Sequence, residues 1–399
     1  MSTSYRFDRM EFAGSLGDLG TLLPLVMGMV LVNGVSVTGI FYSIALFYIF
    51  AGLYFAVPVP VQPMKAIGAY AIATGVTASQ ISASAGLICL LLALIGCTGT
   101  IDVIGRLIAK PVVRGIQLST GILLMVRGIE MVLGNSSMQL SAKAAEPFFV
   151  LQDIGGVPLS IILGTLGLCI VLSLLGSKRY PAALVLILSG VAAGLLLIKP
   201  GLLDQLRPSF HLPQLLPFGI PVKADLTLAL FVLVLPQLPM TLGNAIVANA
   251  DLSHSYFGES ARKITYRSVS LSMALANALA FLVGGIPLCH GAGGLAAHYK
   301  FGARTGGSNL IIGALFLVLA ISLGPEALTL LHLVPFSILG VLLIFAGCEL
   351  CLTILDITAR KEMFVVFLIL AVTLASNLAW GFGAGILLSW LFRSGRFSV

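Results

Sequence analysis

Polar residues that could bind an anion lie at two places where apolar sequence is interrupted by proline or glycine. The first interruption runs from Pro58 to Lys65, and the second runs from Gly284 to Gly294. Each starts as an extended stretch, and the apolar residues that follow predict a short helix. A helix that begins inside a membrane directs unpaired N–H groups and about half a positive charge into the space before it. Two such helix starts facing each other would bind an anion.

The predicted substrate-binding residues lie at these interruptions and on one face of the apolar stretch after Leu235. They are Gln62, Met64, Lys65, Gln237, Thr241, Asn244, His290, Gly291, Ala292 and Gly293. A lysine within an apolar segment is costly unless an anion or a carboxylate lies beside it, so Lys65 could contact substrate, pair with Asp18 or extend to the membrane surface.

The polar residues of the stretch after Leu235 recur about one helical turn apart, so they share a face. Amides and hydroxyls on that face could donate to oxyanion oxygens or bond between helices. His290 could likewise donate to a ligand or only orient its loop.

Asp18 is the candidate coupling residue, because it lies early in the first apolar stretch within the segment Gly14–Thr21. A carboxylate at this place could relay a proton, bind a coupling cation or cap the helix that follows. The residues alone leave these three roles open.

The composition shows which environment these elements occupy. Of the 399 residues, 58% are hydrophobic and 9% are charged, far less charge than a soluble domain of this length carries on its surface. Long apolar runs recur along the chain, which predicts an all-α protein that spans a lipid bilayer many times. The net charge of +7 lies mostly in short loops, so it indicates membrane orientation and no nucleic-acid partner.

Fourteen apolar stretches can be placed, seven in each half. We expect the first half at residues 1–199, a Pro-rich linker at 200–224 and the second half at 225–399. The stretches lie near 12–32, 37–57, 63–77, 81–99, 111–133, 157–175, 181–198, 226–249, 268–285, 291–301, 308–323, 335–354, 363–378 and 380–392. An odd number of membrane-spanning stretches per half gives the two halves opposite orientations, as in many secondary transporters. The two interruptions then fall in segments 3 and 10.

The basic residues orient this arrangement with both termini in the cytoplasm of a cell membrane. The cytoplasmic side then receives Arg6, Arg9, Arg106, Lys110, Arg114, Lys178, Arg179, Arg262, Lys263, Arg267, Lys300, Arg304, Arg360, Lys361, Arg393 and Arg396. The opposite side receives Arg127, Lys143, Lys199, Arg207 and Lys223.

Enzyme signatures are missing from the sequence. We find no P-loop, no nucleotide fingerprint and no catalytic triad spacing, and we expect no metal or cofactor. A membrane enzyme is therefore disfavoured. An anion channel stays open as an alternative, since sequence cannot establish a continuous polar path.

Four motifs, in this order, resemble the molybdate transporter family related to the sulfate permeases (SulP). They are Gly14–Pro24, Pro58–Ala66, Pro236–Asn244 and Pro287–Leu295, the last continued by Tyr299–Arg304. The resemblance covers essentially the whole chain. It implies a core domain (segments 1–4 and 8–11) that slides against a gate domain (segments 5–7 and 12–14), with an oxyanion held between the starts of segments 3 and 10.

The resemblance also supplies the substrate. It implies secondary active transport of molybdate by alternating access, with no STAS domain after the last segment; proton coupling and a homodimer are left open. Sulfate or another tetrahedral oxyanion is the alternative, because its charge and shape are similar. A nucleobase permease is disfavoured, since Gln237 and His290 replace the carboxylates that could accept a ring's N–H groups.

Overall fold

The computed structural model describes residues 5–100, 109–174, 177 and 181–393. Within these ranges the chain is mostly helical, with short strands only. The elements are α1 (Arg9–Ser15), α2 (Leu19–Asn33), α3 (Val37–Phe55), β1 (Gln62–Pro63), α4 (Lys65–Thr74), α5 (Ala78–Thr98), α6 (Lys110–Val132), α7 (Ser137–Ala142), β2 (Asp153–Ile154), β3 (Val157–Pro158), α8 (Leu159–Leu174), α9 (Ala182–Leu197), α10 (Lys223–Leu228), α11 (Leu235–Met240), α12 (Asn249–Phe257), α13 (Tyr266–Val283), β4 (Leu288–Cys289), α14 (Ala292–Lys300), α15 (Gly307–Leu323), α16 (Ala327–His332), α17 (Phe336–Leu352), α18 (Arg360–Ala375) and α19 (Leu378–Arg393).

Among the described residues, seven helices are long and apolar enough to cross a membrane, or eight if the bent pair α1 and α2 is one span. Shorter apolar helices of 10–17 residues are α8, α9 and α19. The protein is therefore a polytopic helical membrane protein. Four of the basic residues used for orientation, Arg106, Lys178, Arg179 and Arg396, lie outside the described residues, as do both chain ends.

Helix contacts fall largely into two groups. One group joins α2 to α4, α3 to α13 and α15, and α5 to α13; the other joins α6 to α17, α18 and α19, and α8 to α9 and α17. The first group contains both interrupted segments. The site therefore lies within one packed unit that faces another.

Glycines set the spacing between α6 and α17. A Cβ atom on Gly121 would collide with the carbonyl oxygen of Gly347, and one on Gly128 would collide with the oxygen of Gly340. The two contacts are seven residues apart on both helices, and the numbering rises on α6 while it falls on α17. The helices are therefore antiparallel, and their backbones touch along two turns. Small residues allow this closeness, which gives the second group a rigid wall facing the first.

The helical segment from Lys223 to Ala261 is continuous but irregular. It contains π-helical turns at Ala229–Val234 and Thr241–Ala248, on either side of α11. Pro236 and Pro239 lie in α11 and cannot donate to the helix ladder, which favours irregular bonding here. Such turns often lie at functional sites. The segment is longer than the stretch predicted at 226–249.

The Pro-rich segment at 200–224 contains one short 3₁₀ turn, Leu203–Gln205. It is held against neighbouring helix ends, because the His211 N–H donates to Ile321 O at 2.9 Å and the Leu216 N–H donates to Leu282 O at 2.7 Å. The Tyr42 hydroxyl also donates to His211 O at 2.6 Å. The segment is therefore a packed connection.

Candidate anion-binding site

The two interrupted segments meet directly. β1 pairs antiparallel with β4, with Gln62 opposite Cys289 and Pro63 opposite Leu288. The Met64 N–H adds a bond to Pro287 O at 2.9 Å. Each strand leads at once into a helix, α4 after β1 and α14 after β4. This short pairing brings both helix starts together, while the side chains of Asn309 and Asn277 satisfy backbone groups of Val59 and Leu288 in the extended stretches.

The start of α4 is closed by a side chain from α11. The Gln237 Oε1 atom accepts from the N–H groups of Ala66 at 3.0 Å and Ile67 at 3.3 Å. Its Nε2 atom donates to Thr241 Oγ1 at 3.1 Å. These first-turn donors have no partner within the helix itself. Gln237 therefore caps α4 and fixes its position against the irregular segment.

The start of α14 is open by comparison. Gly291 precedes the helix, and its carbonyl oxygen accepts from Gly294 N at 3.0 Å and Leu295 N at 3.3 Å. Within the described residues, the N–H groups of Ala292 and Gly293 have no hydrogen-bond acceptor. Gly293 is exposed to the cavity described below. Of the two helix starts, α14 thus offers the larger number of free backbone donors among the described residues.

Asp18 contacts both interrupted segments. Its Oδ1 atom accepts from Gln62 Nε2 at 2.8 Å, while Oδ2 is buried without a partner among the described residues. The carboxylate precedes α2 but makes no side-chain bond to the N–H groups of that helix. The capping role left open from sequence is therefore not the observed geometry. A Cβ atom on Gly294 would collide with Asp18 Oδ2, so the glycine is required for this approach.

A cavity of about 1140 Å³ lies between the two helix groups. Lys65, Asn244 and Gly293 line one wall, and residues of α6 and α17, including Leu124 and Leu342, line the other. Among the described residues, its charged lining consists of four basic and one acidic side chain: Lys65, Lys110, Arg114, Lys300 and Glu349. A cavity with this balance attracts anions.

The predicted site residues separate into two sets. Those that line the cavity are Lys65, Asn244 and Gly293. Those that lie behind the lining are Gln62, Met64, Gln237, Thr241, His290, Gly291 and Ala292, all of them buried. In the second set, the side chains of Gln62, Gln237 and His290 bond protein groups around the two helix starts.

For His290, the geometry matches the second of its two possible roles, which is to orient its loop. Its Nδ1 atom bonds Pro60 O at 2.7 Å, and its Nε2 atom bonds Ser272 Oγ at 2.9 Å. Because a carbonyl oxygen only accepts, Nδ1 carries the proton and Nε2 accepts from the serine. The ring also packs on Phe47, with centroids 4.5 Å apart. Both nitrogens are occupied, so the ring positions the second interruption and does not reach the cavity.

The cavity lining also contains residues that the sequence argument did not name as site residues, among them two on α2. Gly20 and Thr21 line the cavity from the start of α2. Both belong to the Gly14–Pro24 motif, close to the charged Asp18. Thr21 adds a hydroxyl to the wall that carries Lys65.

Comparison with known proteins identifies the family. The family model described as "Molybdate transporter of MFS superfamily" matches residues 10–124 and 229–350. "Molybdate transporter 1" of Arabidopsis thaliana is 31% identical over 429 residues, covering 98% of this chain and 90% of the relative. The chain belongs to the molybdate transporter family. "Molybdate transporter 2" of the same plant is 30% identical over 412 residues, covering 96% of this chain and 87% of the relative.

Solved structures show the fold of this family member. The transmembrane domain of the cyanobacterial bicarbonate transporter BicA matches with a TM-score of 0.70 at 15% identity, covering 96% of this chain and 98% of that one. Murine Slc26a9, an anion transporter in the inward-facing state, matches with a TM-score of 0.68 at 12% identity, covering 99% and 70%. The fold is thus the SulP/SLC26 type, as the motifs indicated. The protein is a transporter and not an enzyme.

Proposed function

We propose that this protein is a secondary active transporter that carries molybdate across the membrane by alternating access. The observation that carries the proposal is the β1–β4 pair, which brings the starts of α4 and α14 to one basic cavity. The oxyanion would lie among Lys65 Nζ, the Gly293 N–H and the Asn244 amide, three donors suited to its oxygens. Family membership supports molybdate as the substrate.

The membrane arrangement is part of the proposal. The chain would cross the membrane fourteen times as two inverted halves, residues 1–199 and 225–399, with both termini in the cytoplasm. The two helix groups would be the core and gate domains that move against each other. The cavity opens toward helix ends that carry Lys110, Arg114 and Lys300, all assigned to the cytoplasmic side, so the structure would be inward-facing.

Asp18 would couple transport to protons. Its unpaired, buried Oδ2 atom lies against Gly294 and beside the Gln62 amide, so protonation would alter the connection between the two interrupted segments. Substrate binding and proton binding would thereby influence each other. Asp18→Asn should retain molybdate binding and abolish the response of uptake to a pH gradient. A response equal to that of the unmodified protein would exclude Asp18 as the coupling group.

Uptake of labelled molybdate into proteoliposomes tests the function. We expect saturable uptake that tungstate inhibits strongly and that sulfate inhibits weakly, while uracil has no effect. The second candidate is a broader oxyanion permease, favoured by the fact that Lys65, Gly293 and Asn244 recognise charge and hydrogen-bond acceptors and contain no group that measures anion size. Equal inhibition by sulfate would establish that alternative, and the absence of saturable uptake would refute transport of oxyanions.

A further inference from the structure

Arg114 makes a two-pronged ion pair at the open end of the cavity. Its Nε atom donates to Asp356 Oδ1 at 2.9 Å, and its Nη2 atom donates to Asp356 Oδ2. Its Nη1 atom donates to Gln117 Oε1 at 2.8 Å, and Gln117 also accepts from Thr353 Oγ1 at 3.0 Å. All three nitrogens of the guanidinium thus donate hydrogen bonds, and these bonds fix the orientation of its plane.

Lys110 strengthens the positive charge at this place. Its Nζ atom lies 3.2 Å from Asp356 Oδ2 and donates to Asp356 O at 2.9 Å. Lys110 is also the first residue of α6, whose N-terminus carries a partial positive charge. Lys110, Arg114, Gln117 and Thr353 all line the cavity, whereas Asp356 does not. We call this cluster of five residues the mouth cluster.

We propose that Arg114 and Lys110 form a second oxyanion subsite at the cavity mouth, with Asp356 as an internal competitor that keeps this subsite weak. The proposal rests on the proposed function. A guanidinium presents the same fork to a carboxylate as to any planar pair of oxyanion oxygens, so an arriving anion can take the place of one Asp356 oxygen. Asp356 then returns and displaces the anion.

A weak subsite has a clear use in a transporter. An anion held at the mouth is concentrated near the inner donors Lys65 and Gly293, which speeds binding, but strong retention would slow release. Asp356 sets the balance between binding and release, because its carboxylate stays close to Arg114 and competes with the anion for the guanidinium. Its side chain is 41% exposed and that of Arg114 is 23% exposed, so both are reachable from water.

The same chemistry could recognise the phosphate of an anionic lipid headgroup instead of a soluble oxyanion. Proteoliposomes made only of neutral phosphatidylcholine remove that source. We expect substitutions of Arg114, Lys110 and Asp356 to change the KM for molybdate in these vesicles. If these changes in KM appear only after anionic lipid is added, the mouth cluster is a lipid site and the proposed subsite is refuted.

The test compares molybdate uptake kinetics of the full chain at low and high ionic strength. Arg114→Gln should raise the KM roughly tenfold at low salt with little change at high salt, and Lys110→Gln should act in the same direction. Asp356→Asn should lower the KM and also lower the maximal rate, because release is slowed. Opposite signs for the two partners of one ion pair distinguish a subsite from a purely structural bridge.

Lys263→Gln is the matched control, since Lys263 is assigned to the same side but contacts Tyr54 O, away from the cavity. If Arg114→Gln and Lys110→Gln behave like this control, or if Asp356→Asn raises the KM as they do, the subsite is refuted. Should Arg114→Gln fail to fold, Lys110→Gln and Arg114→Lys provide the same comparison. A complete lack of saturable uptake by the unmodified protein would refute the proposed function itself, which is a separate outcome.

Discussion

At the start of α4, the Lys65 ammonium borders the cavity and forms no ion pair with any residue that the structure describes. A charge at this depth is unfavourable unless a ligand or water solvates it. Lys65→Gln removes the charge and keeps a similar length. We expect molybdate binding to weaken about 10- to 100-fold, since a hydrogen bond to a charged group contributes roughly 1.5–3 kcal/mol. Calorimetric titration of the purified protein measures this, and unchanged affinity would remove Lys65 from the site.

Gly294 provides a second prediction at the residue scale. A Cβ atom there would collide with Asp18 Oδ2 and would lie 2.8 Å from Pro60 Cβ, all within a buried cluster. Gly294→Ala should therefore destabilise the fold by roughly 1–3 kcal/mol through overpacking. Gly243→Ala is the matched control, because a Cβ atom there has nothing within 4 Å. The apparent melting temperature in detergent should fall only for Gly294→Ala, and equal melting temperatures would contradict this packing.

Sequence reasoning named three residues that line the cavity, but it could not give the directions of the buried side chains near them. Lys65 and Gly293 follow from charge and from the position of the helix start. The side chain of Gln62 in β1 points toward Asp18, and that of His290, just after β4, points toward Ser272; these partners lie on other elements. Local spacing contains no information about such partners.

At the scale of elements, α17 begins at a buried carboxylate supplied by the loop after α7. Glu146 accepts from Phe336 N at 2.7 Å and from Ser337 N at 3.0 Å, and it is 1% exposed. The carboxylate satisfies first-turn donors and complements the helix dipole. This capping residue is about 190 positions away in sequence, so no local motif could have predicted it.

The burial of Glu146 should make the free energy of unfolding depend on pH. Burial raises the pKa of this carboxyl from 4.5 to about 7. Between those values the folded chain binds more protons than the unfolded chain, so the free energy of unfolding falls as pH rises through this window, by about 3 kcal/mol. Melting temperatures in detergent from pH 4.5 to 8 should show this decline. Glu146→Gln should flatten it, while Glu259→Gln, which replaces an exposed carboxylate, should retain it; equal slopes in both variants would contradict the assignment.

The irregular segment from Lys223 to Ala261 shows what an element-level prediction can and cannot reach. Pro236 and Pro239, on either side of Gln237, remove two donors from the helix ladder, and the segment stays continuous through π-helical turns on either side of α11. Of the two roles left open for this face, the structure shows Gln237 bonding between helices, because its carbonyl oxygen accepts from first-turn N–H groups of α4 and its amide donates to Thr241. The choice between capping and ligand binding depends on the distance between two segments about 170 residues apart.

At the scale of the whole molecule, the apolar pattern predicted helices at every place where the structure describes one of the long apolar elements. The grouping of helices on two sides of the cavity could not be obtained from that pattern alone, because hydropathy does not distinguish a lipid-facing side from a buried one in such apolar helices. The glycine contacts Gly121–Gly347 and Gly128–Gly340 decide one of those groupings. They are visible only once the two helices are placed together.

Arg127, assigned by the charge pattern to the side opposite Lys110 and Arg114, makes one of the contacts between the two groups. Its Nε atom donates to Ala73 O at 2.5 Å, near the C-terminus of α4, and its Nη1 atom lies 2.7 Å from Glu130 Oε2. A cation at this place satisfies a carbonyl at the helix end and complements its dipole. Because α6 and α4 belong to different groups, opening the cavity on that side requires this bond to break.

Arg127→Gln should therefore shift the protein toward an outward-open state. A single cysteine introduced at Gly243, which lines the cavity, in a chain whose native cysteines are replaced by serine or alanine, reports access. In oriented proteoliposomes a membrane-impermeant thiol reagent should label this cysteine from the Lys300 side, and molybdate should protect it. With Arg127→Gln, labelling from the opposite side should rise roughly tenfold, as expected when about 1.4 kcal/mol of closed-state stabilisation is lost. Lys223→Gln is the control, because it removes an exposed charge assigned to the same side as Arg127, and it should leave labelling unchanged. An equal increase in labelling of that variant would show that charge alone, and not the bond to Ala73, controls access.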